Sequence, residues 1–169
     1  MNIRIGMGFD VHQLEEGRNF FLGGIVLPDA PKGAVGHSDA DVLIHALCDA
    51  LLGAANMRDI GFHFSNTDER WKGKDSKYFL QEVVKLLADK GWRVGNADCT
   101  LVLEKPKINP HIPAMKKVLA PLMNVSEEEI SIKATTNETL GYVGRQEGVC
   151  AYAVALIYKE IPSVMMKAE

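Results

Sequence analysis

Residues Asn2–His12 read NIRIGMGFDVH, and apolar side chains occupy every second position through this stretch. Such a period of two is typical of a half-buried β-strand with an apolar face and a second, more polar face. The second face carries two glycines and then Asp10 and His12, which are predicted to point the same way. A carboxylate beside an imidazole, with glycines leaving room, forms half of a metal site. The apolar face consists of Ile3, Ile5, Met7, Phe9 and Val11.

The next long apolar segment, Val42–Ala55, is predicted to be a buried helix that opens at Ser38. Ser38 and Asp41 have the spacing of a helix N-cap and an acidic residue three positions later. The polar exceptions are Asp41, His45 and Asp49, which fall at i, i+4 and i+8. A mostly buried helix must direct such a stripe at groups that satisfy it, and carboxylates with an imidazole suit a cation. A salt-bridged or solvent-facing stripe is the alternative, but the strand pair favours a shared metal site.

Size and charge limit the function classes. The 169 residues suffice for one domain with its own core, and a net charge of −3 provides no large basic surface for nucleic acid or anionic lipid. Cys48, Cys99 and Cys150 lie in apolar segments without metal-type spacing, which predicts reduced cysteines in a cytoplasmic protein. We find no signal-peptide pattern in the first thirty residues and no segment that predicts a membrane span.

The remaining elements follow from periodicity and helix breakers, and they predict an α+β fold: a mixed four-stranded sheet with helices on one face plus an N-terminal hairpin. The last strand, Gly148–Tyr158, is apolar on both faces, and three helices rarely cover both faces of a sheet. Its remaining face, which is lined by small residues, is therefore predicted to pack against another subunit, the alternative being a central strand covered on both sides. The other predicted elements are a strand at 19–27 that pairs with the first strand, helices at 75–90 and 109–124, and strands at 97–104 and 129–135.

Several polar loops flank these elements. Gly33–Ser38 could receive a phosphate at a helix N-terminus, and the hydroxyl-rich strand end Thr135–Glu138, followed by Arg145, suits a phosphate–metal complex. A role in the site and an ordinary structural role explain the other polar segments equally well. The turns are Asp59–Gly61 and Phe64–Asp68, and the solvated charges are those of Lys105 and Lys107. Together with the metal site, the loops favour metal-assisted phosphoryl transfer.

Five segments of the chain resemble the signature segments of the 2-C-methyl-D-erythritol 2,4-cyclodiphosphate synthase family. They occur in the family's order and spacing: Gly8–His12, His37–Asp41, Asp59–Gly61, Lys133–Thr136 and Gly144–Gly148. The resemblance covers residues 1–160 as one domain and leaves 161–169 as a C-terminal tail. It implies a CMP-releasing lyase of the non-mevalonate isoprenoid pathway that closes the ring of 4-diphosphocytidyl-2-C-methyl-D-erythritol 2-phosphate. It also implies a homotrimer with active sites between subunits, in a bacterial cytoplasm or a plastid stroma.

The resemblance also assigns site residues. Asp10, His12 and His45 match zinc ligands that also face the substrate, and Glu138 matches the ligand of a second divalent cation, Mg²⁺ or Mn²⁺. His37 and Thr136 match positions for transition-state stabilisation. The methylerythritol end would be bound by His37, Ser38, Asp59, Ile60, Gly61, Phe64, Ser65, Asn66, Thr67 and Asp68. The cytidine diphosphate end would be bound by Leu103, Glu104, Lys105, Pro106, Lys107, Ile108, Asn109, Thr135, Thr136, Asn137, Glu138, Tyr142 and Arg145.

Two segments depart from the family pattern, at three positions. The family's loop Phe-Pro-Asp-Thr-Asp reads Phe64-Ser65-Asn66-Thr67-Asp68 here, which removes one carboxylate, and Asn137 stands where a threonine is common.

Two rival functions stay open from the residues. One is a zinc phosphoesterase or nucleotide hydrolase, and the other is a non-catalytic, trimeric metal- or nucleotide-binding protein.

Overall fold

The structure is a computed structural model that describes residues 2–28 and 30–160. The predicted tail at 161–169 lies outside the described residues. The strands are β1 (Asn2–Glu16), β2 (Phe21–Leu22), β3 (Ile25–Val26), β4 (Lys32–Val35), β5 (Arg93–Val102), β6 (Ile130–Thr135) and β7 (Gly148–Lys159). The helices are α1 (Val42–Ala54), α2 (Ile60–His63), α3 (Ser76–Asp89), α4 (Ile112–Met123) and α5 (Gly141–Gly144).

The α+β class with a mixed sheet is confirmed, but the central sheet has five strands instead of four. Its order is β4-β1-β7-β5-β6, with β5 and β6 parallel and the other neighbours antiparallel. The added strand is β4, which pairs with the end of β1 from Gln13 to Glu16. The proline and glycine content of this stretch indicates a loop. A strand forms there nevertheless, because a short strand needs little intrinsic propensity when the edge of a sheet is available for pairing.

The predicted hairpin between β1 and residues 19–27 is wrong. This run instead folds on itself, and β2 pairs with β3 as a separate ribbon. The turn between them consists of Gly23 and Gly24, which have φ of 61° and 80°. Two consecutive positive φ values favour a tight two-residue hairpin turn, and glycine adopts them without steric cost. Because the turn lies inside the apolar run, the two halves of the run pair with each other and not with β1.

Helix α1 crosses one face of the sheet and fixes which side of each strand is buried. In β7 the residues facing α1 are small and fully buried, among them Ala151, Ala153 and Ala155. On β1 the glycine positions face α1, since a Cβ on Gly6 or Gly8 would overlap the α1 backbone. The half-buried strand is confirmed, but its faces are the reverse of the expectation: the apolar side chains are the exposed ones.

The opposite face of the sheet is apolar and open. Ile5 is 68% exposed and Met7 is 65% exposed, and the even side chains of β7 continue the patch with Tyr152 and Val154. The prediction that helices leave one face of the last strand uncovered is confirmed within the described residues, but the face is not the predicted one. The small side chains expected on the open face, Ala151, Ala153 and Ala155, are buried against α1, and the open face carries larger side chains. A contiguous apolar surface of this kind marks an interaction site on a folded protein. In the described part of the chain, no helix has the length and apolar character needed to cross a bilayer.

Candidate active site

The three predicted metal ligands meet where β1 passes under the first turns of α1. Asp10 and His12 lie on the same face of β1, and His45 lies on the side of α1 that faces them. Gly8 makes this approach possible, because a side chain there would collide with the backbone of Ala46. The glycines of the strand therefore place helix backbone directly on strand backbone, and the ligands come together as a result.

The ligand atoms form a nearly equilateral triangle. Asp10 Oδ2 is 3.0 Å from both His12 Nε2 and His45 Nδ1, and the two nitrogens are 3.2 Å apart. Ligands bound to zinc at tetrahedral angles lie about 3.3 Å apart, so the spacing fits one ion. Two imidazoles and one carboxylate suit zinc better than calcium or magnesium, which take oxygen ligands. Among the described residues these three are the one group whose spacing could hold a metal ion.

The triad is electrostatically prepared for a cation. Burial would raise the pKa of Asp10, but hydrogen bonds and charge interactions with His12 and His45 outweigh it and lower that pKa from 3.8 to about 2. Burial would lower the pKa of His12, but the hydrogen bond and charge of Asp10 raise it. Asp10 is therefore ionised at neutral pH, and its negative charge is available to a bound cation.

The rest of the predicted helix stripe serves a different purpose. The N-cap of α1 is Asp41 and not Ser38, and its buried carboxylate accepts hydrogen bonds from the amides of Gly23 (2.9 Å), Gly24 (2.7 Å) and Ile44 (3.1 Å). Asp49 accepts the amide of Ile60 at 2.7 Å. These two carboxylates hold a turn and a loop in place, so of the three stripe residues His45 alone reaches the metal site.

A cleft of about 430 Å³ opens beside the triad. His37 lies in it, and its Nε2 is 3.1 Å from the carbonyl oxygen of Asp68. Asp59 caps α2 through the amide of Phe62 (2.9 Å), which orders the loop at the rim. The predicted residues that line the cleft are Asp10, His12, His37, Ser38, His45, Ile60, Gly61, Phe64 and Asn66. Gly36, from the predicted Gly33–Ser38 loop, also lines the cleft. Sequence reasoning missed Trp71 and Phe79, because aromatic residues are typical of core positions and these two carry no other signal.

A second pocket, of about 180 Å³, lies at the carboxyl ends of β5 and β6. Glu104 orders its rim by accepting the amides of Asn137 (3.0 Å) and Thr139 (3.2 Å). Thr136 donates its hydroxyl to Glu138 Oε1 at 2.8 Å, so the two predicted catalytic and metal-binding side chains of this loop are in contact. The pocket is lined by Leu103, Glu104, Pro106, Lys107, Ile108, Asn109, Ala134, Thr135 and Thr136.

The two groups of predicted residues are not brought together within one chain. The strand register puts Val11, Cys150, Val102 and Thr135 in one row across β1, β7, β5 and β6. Three strand spacings separate the ends of this row, which is about 14 Å. The loop of Glu138 therefore starts at the same end of the sheet as the triad, but it is displaced from the triad across the sheet, from β1 to β6. Arg145 is also outside the cleft, and its guanidinium forms two hydrogen bonds with Glu147, of 3.0 and 2.9 Å.

Comparisons with known proteins agree with this arrangement. The profile of the YgbB family matches residues 3–158. A 2-C-methyl-D-erythritol 2,4-cyclodiphosphate synthase of Cytophaga hutchinsonii is 65% identical over 159 residues, which are 94% of this chain and 99% of that protein. The synthase of Bacteroides thetaiotaomicron is 58% identical over 160 residues, covering 95% of this chain and 100% of that one. A solved synthase structure in a CDP-bound form superposes with a TM-score of 0.84 at 41% identity, covering 92% of this chain and 100% of that one.

Proposed function

The chain belongs to the YgbB family of 2-C-methyl-D-erythritol 2,4-cyclodiphosphate synthases, and we propose from its site residues how it carries out their reaction. It converts 4-diphosphocytidyl-2-C-methyl-D-erythritol 2-phosphate into 2-C-methyl-D-erythritol 2,4-cyclodiphosphate and CMP in non-mevalonate isoprenoid biosynthesis. An oxygen of the 2-phosphate attacks the β-phosphorus, and the bond from that phosphorus to the bridging oxygen breaks, so that CMP leaves. The enzyme is thus a cyclising phosphorus–oxygen lyase.

We propose that Asp10, His12 and His45 hold zinc. The triangle of donor atoms at 3.0–3.2 Å is the observation on which the proposal depends. When bound, such an ion acts as a Lewis acid that polarises a phosphate oxygen and reduces repulsion between phosphates. The protein itself contributes position: β1 and α1 fix the three side chains that would hold the ion, and all three line the cleft.

The cleft beside the triad is proposed to hold the methylerythritol phosphate. Ser38, the Asp59–Gly61 rim and the Phe64–Asp68 loop would contact its hydroxyls and phosphate, and His37 would stabilise charge in the transition state. Both reacting groups belong to one molecule, so the main task of these residues is to fold the substrate. Orientation of this kind can contribute on the order of 7–11 kcal/mol to the barrier.

The second pocket is proposed to hold the cytidine diphosphate end. Its wall runs from Leu103 to Asn109, and a solved relative of the same fold was obtained in a CDP-bound form. Glu138 offers a carboxylate oxygen of the type that Mg²⁺ or Mn²⁺ prefers, and the Thr136 hydroxyl bound to it would face the same phosphates. Tyr142 and Arg145 would complete the nucleotide end.

The assembly is proposed to be a homotrimer, with the cleft of one copy facing the second pocket of the next. Two observations support it: the separation of the two pockets within one chain, and the open apolar face of β1 and β7. Closed rings form when two different surfaces of identical chains join head to tail and the rotation between copies closes.

The bacterial cytoplasm is the proposed compartment. The similar synthases of Cytophaga hutchinsonii and Bacteroides thetaiotaomicron are bacterial, and the three free cysteines are buried, as is usual in a reducing compartment.

Product analysis tests the proposal. Metal-replete protein is incubated with the substrate, and the products are identified by phosphorus NMR. The cyclodiphosphate with CMP is expected, and chelation of the metal should abolish it. An open-chain diphosphate would instead indicate the hydrolase, and nucleotide binding without turnover would indicate the regulatory protein. Normal turnover of His12→Ala or His45→Ala would overturn the proposed zinc site.

A further inference from the structure

A chain of hydrogen-bonded polar side chains leads away from the metal triad at Nε2 of His45, the ring nitrogen that does not face Asp10 and His12. Ser76, at the start of α3, is fully buried, and its hydroxyl oxygen is 2.9 Å from His45 Nε2. The Ser76 hydroxyl donates to Asp39 Oδ1, and the Ser76 backbone amide donates to Asp39 Oδ2 at 2.9 Å. The carboxylate therefore holds both donors of one serine, and the serine contacts the ring of a proposed metal ligand.

The hydrogen atoms available for the His45–Ser76–Asp39 hydrogen bonds determine which ring nitrogen of His45 carries its hydrogen. A neutral imidazole has one N–H donor and one lone pair. His45 Nδ1 faces Asp10 and His12, so metal binding requires the lone pair there and places the hydrogen on Nε2. Ser76 has a single O–H, which is used on Asp39, so its oxygen is free to accept the Nε2–H of His45. Every donor in the chain from imidazole to carboxylate then has an acceptor.

We propose that Ser76 and Asp39 are positioning residues that fix the tautomer and orientation of His45 for the metal. This inference rests on the proposed zinc site. Metal-binding histidines generally donate their second ring N–H to a carboxylate or carbonyl, and loss of that partner weakens metal binding about 10–100-fold. Here the serine hydroxyl transmits the effect of the carboxylate to a ring that the carboxylate itself does not touch.

The other contacts of the two histidines support this assignment. His12 is held in the equivalent way by the backbone carbonyl of Val35, 2.8 Å from its Nδ1. Ser38 is a second neighbour of His45 Nε2, but its hydroxyl lies at 3.2 Å, accepts the amide of Ala40 at 3.3 Å and has no carboxylate behind it. The shorter contact, complete burial and the charged partner all favour Ser76 as the acceptor.

Zinc affinity of the purified protein, measured by chelator competition, tests the inference without relying on turnover. Ser76→Ala is expected to bind zinc about 10–100-fold more weakly. Asp39→Asn is expected to weaken binding in the same direction, and the double variant should be no weaker than Ser76→Ala, because both changes interrupt one chain. Ser38→Ala and the exposed control Ser126→Ala, whose side chain makes no capping bond, should stay within about threefold of the wild type.

Substitution of Co²⁺ for zinc gives a second measurement, the visible spectrum, which a loss of stability alone would not change. The visible spectrum of the Co²⁺ protein reports ligand geometry, and it should change in Ser76→Ala and not in Ser126→Ala. If Ser76→Ala does not fold, Asp39→Asn carries the test. His45→Ala separates the two proposals: wild-type affinity in His45→Ala would refute the zinc site itself. Lost affinity in His45→Ala with wild-type affinity and spectrum in Ser76→Ala and Asp39→Asn would refute the positioning role alone.

Discussion

Replacing Gly8 with alanine should damage the metal site without touching any of its ligands. An alanine Cβ at this position would overlap the carbonyl oxygen of Ala46 and lie 2.7 Å from the amide nitrogen of Ala50. Both atoms belong to the backbone of α1 and cannot rotate away. Relief therefore requires β1 and α1 to move apart.

The size of that movement follows from the contact distances. A Cβ at Gly8 would lie 2.0 Å from the carbonyl oxygen of Ala46, and ordinary van der Waals contact of a Cβ begins near 3.4 Å, so the helix and strand must separate by at least about 1.4 Å. Asp10 and His12 move with the strand, whereas His45 moves with the helix, next to Ala46. Metal sites tolerate changes of only about 0.2 Å in ligand distance, so we expect zinc affinity to fall about tenfold or more. Overpacking should also cost about 1–3 kcal/mol of unfolding free energy.

The assay compares zinc affinity by chelator competition and urea unfolding of the metal-free protein. The matched control is Gly53→Ala in the same helix, since a Cβ at Gly53 meets nothing within 4 Å. This variant should keep wild-type zinc affinity and gain up to about 1 kcal/mol of stability. Wild-type affinity and stability in Gly8→Ala would refute the reasoning, because they would mean that strand and helix separate at no cost to the ligands.

Three further predictions test other parts of the molecule. Ile5→Glu, on the open sheet face, should dissociate the oligomer in light scattering and lower CMP release while zinc affinity persists; a fully active monomer would contradict the shared site. Glu138→Gln should lower CMP release about tenfold or more with unchanged zinc affinity, because its loop lies three strands from the triad; equal loss of zinc would place Glu138 in the triad. Burial raises the pKa of Cys99 to about 12, so at pH 8 only about one thiol in ten thousand is ionised, and buried Cys48 is shifted in the same direction. Neither should react with a disulfide reagent until the protein is unfolded, and rapid modification of the native protein would show that the core opens.

The sequence predicted the grouping of Asp10, His12 and His45 because that grouping follows from the periodicity of one strand and one helix. Alternation in β1 puts Asp10 and His12 on one face whatever the rest of the chain does, and a following helix naturally returns His45 to that strand. Which face is buried is a different question. Apolar side chains normally pack inward, but Gly6 and Gly8 allow a helix backbone to approach where no side chain could fit. The packing of α1 against the face of β1 that carries these glycines depends on backbone-to-backbone contact, which the alternation of apolar residues in the sequence does not reveal.

Other errors have the same non-local origin. Ser38 and Asp41 are both good N-cap residues, and the choice between them depends on Gly23 and Gly24, whose amides need the Asp41 carboxylate. Asp49 likewise serves a loop amide eleven residues away. Ser76 carries no signal in the sequence, because a serine at the start of a helix is common. Its contact with His45 exists only after α3 packs against α1.

The division of the site between two pockets is the strongest reason to regard one chain as an incomplete enzyme. The two proposed cations would act on one diphosphate and would therefore lie within a few ångströms of each other. The loop of Glu138, however, begins at the end of β6, about 14 Å across the sheet from the triad residues of β1. No side-chain rotation closes that gap, because both groups are fixed at strand ends of one sheet. A second copy can close it if its nucleotide pocket faces this cleft. Such a contact joins two different surfaces, so in the proposed trimer it would repeat around a closed ring, and the exposed apolar residues of β1 and β7 are a surface available to hold that ring together.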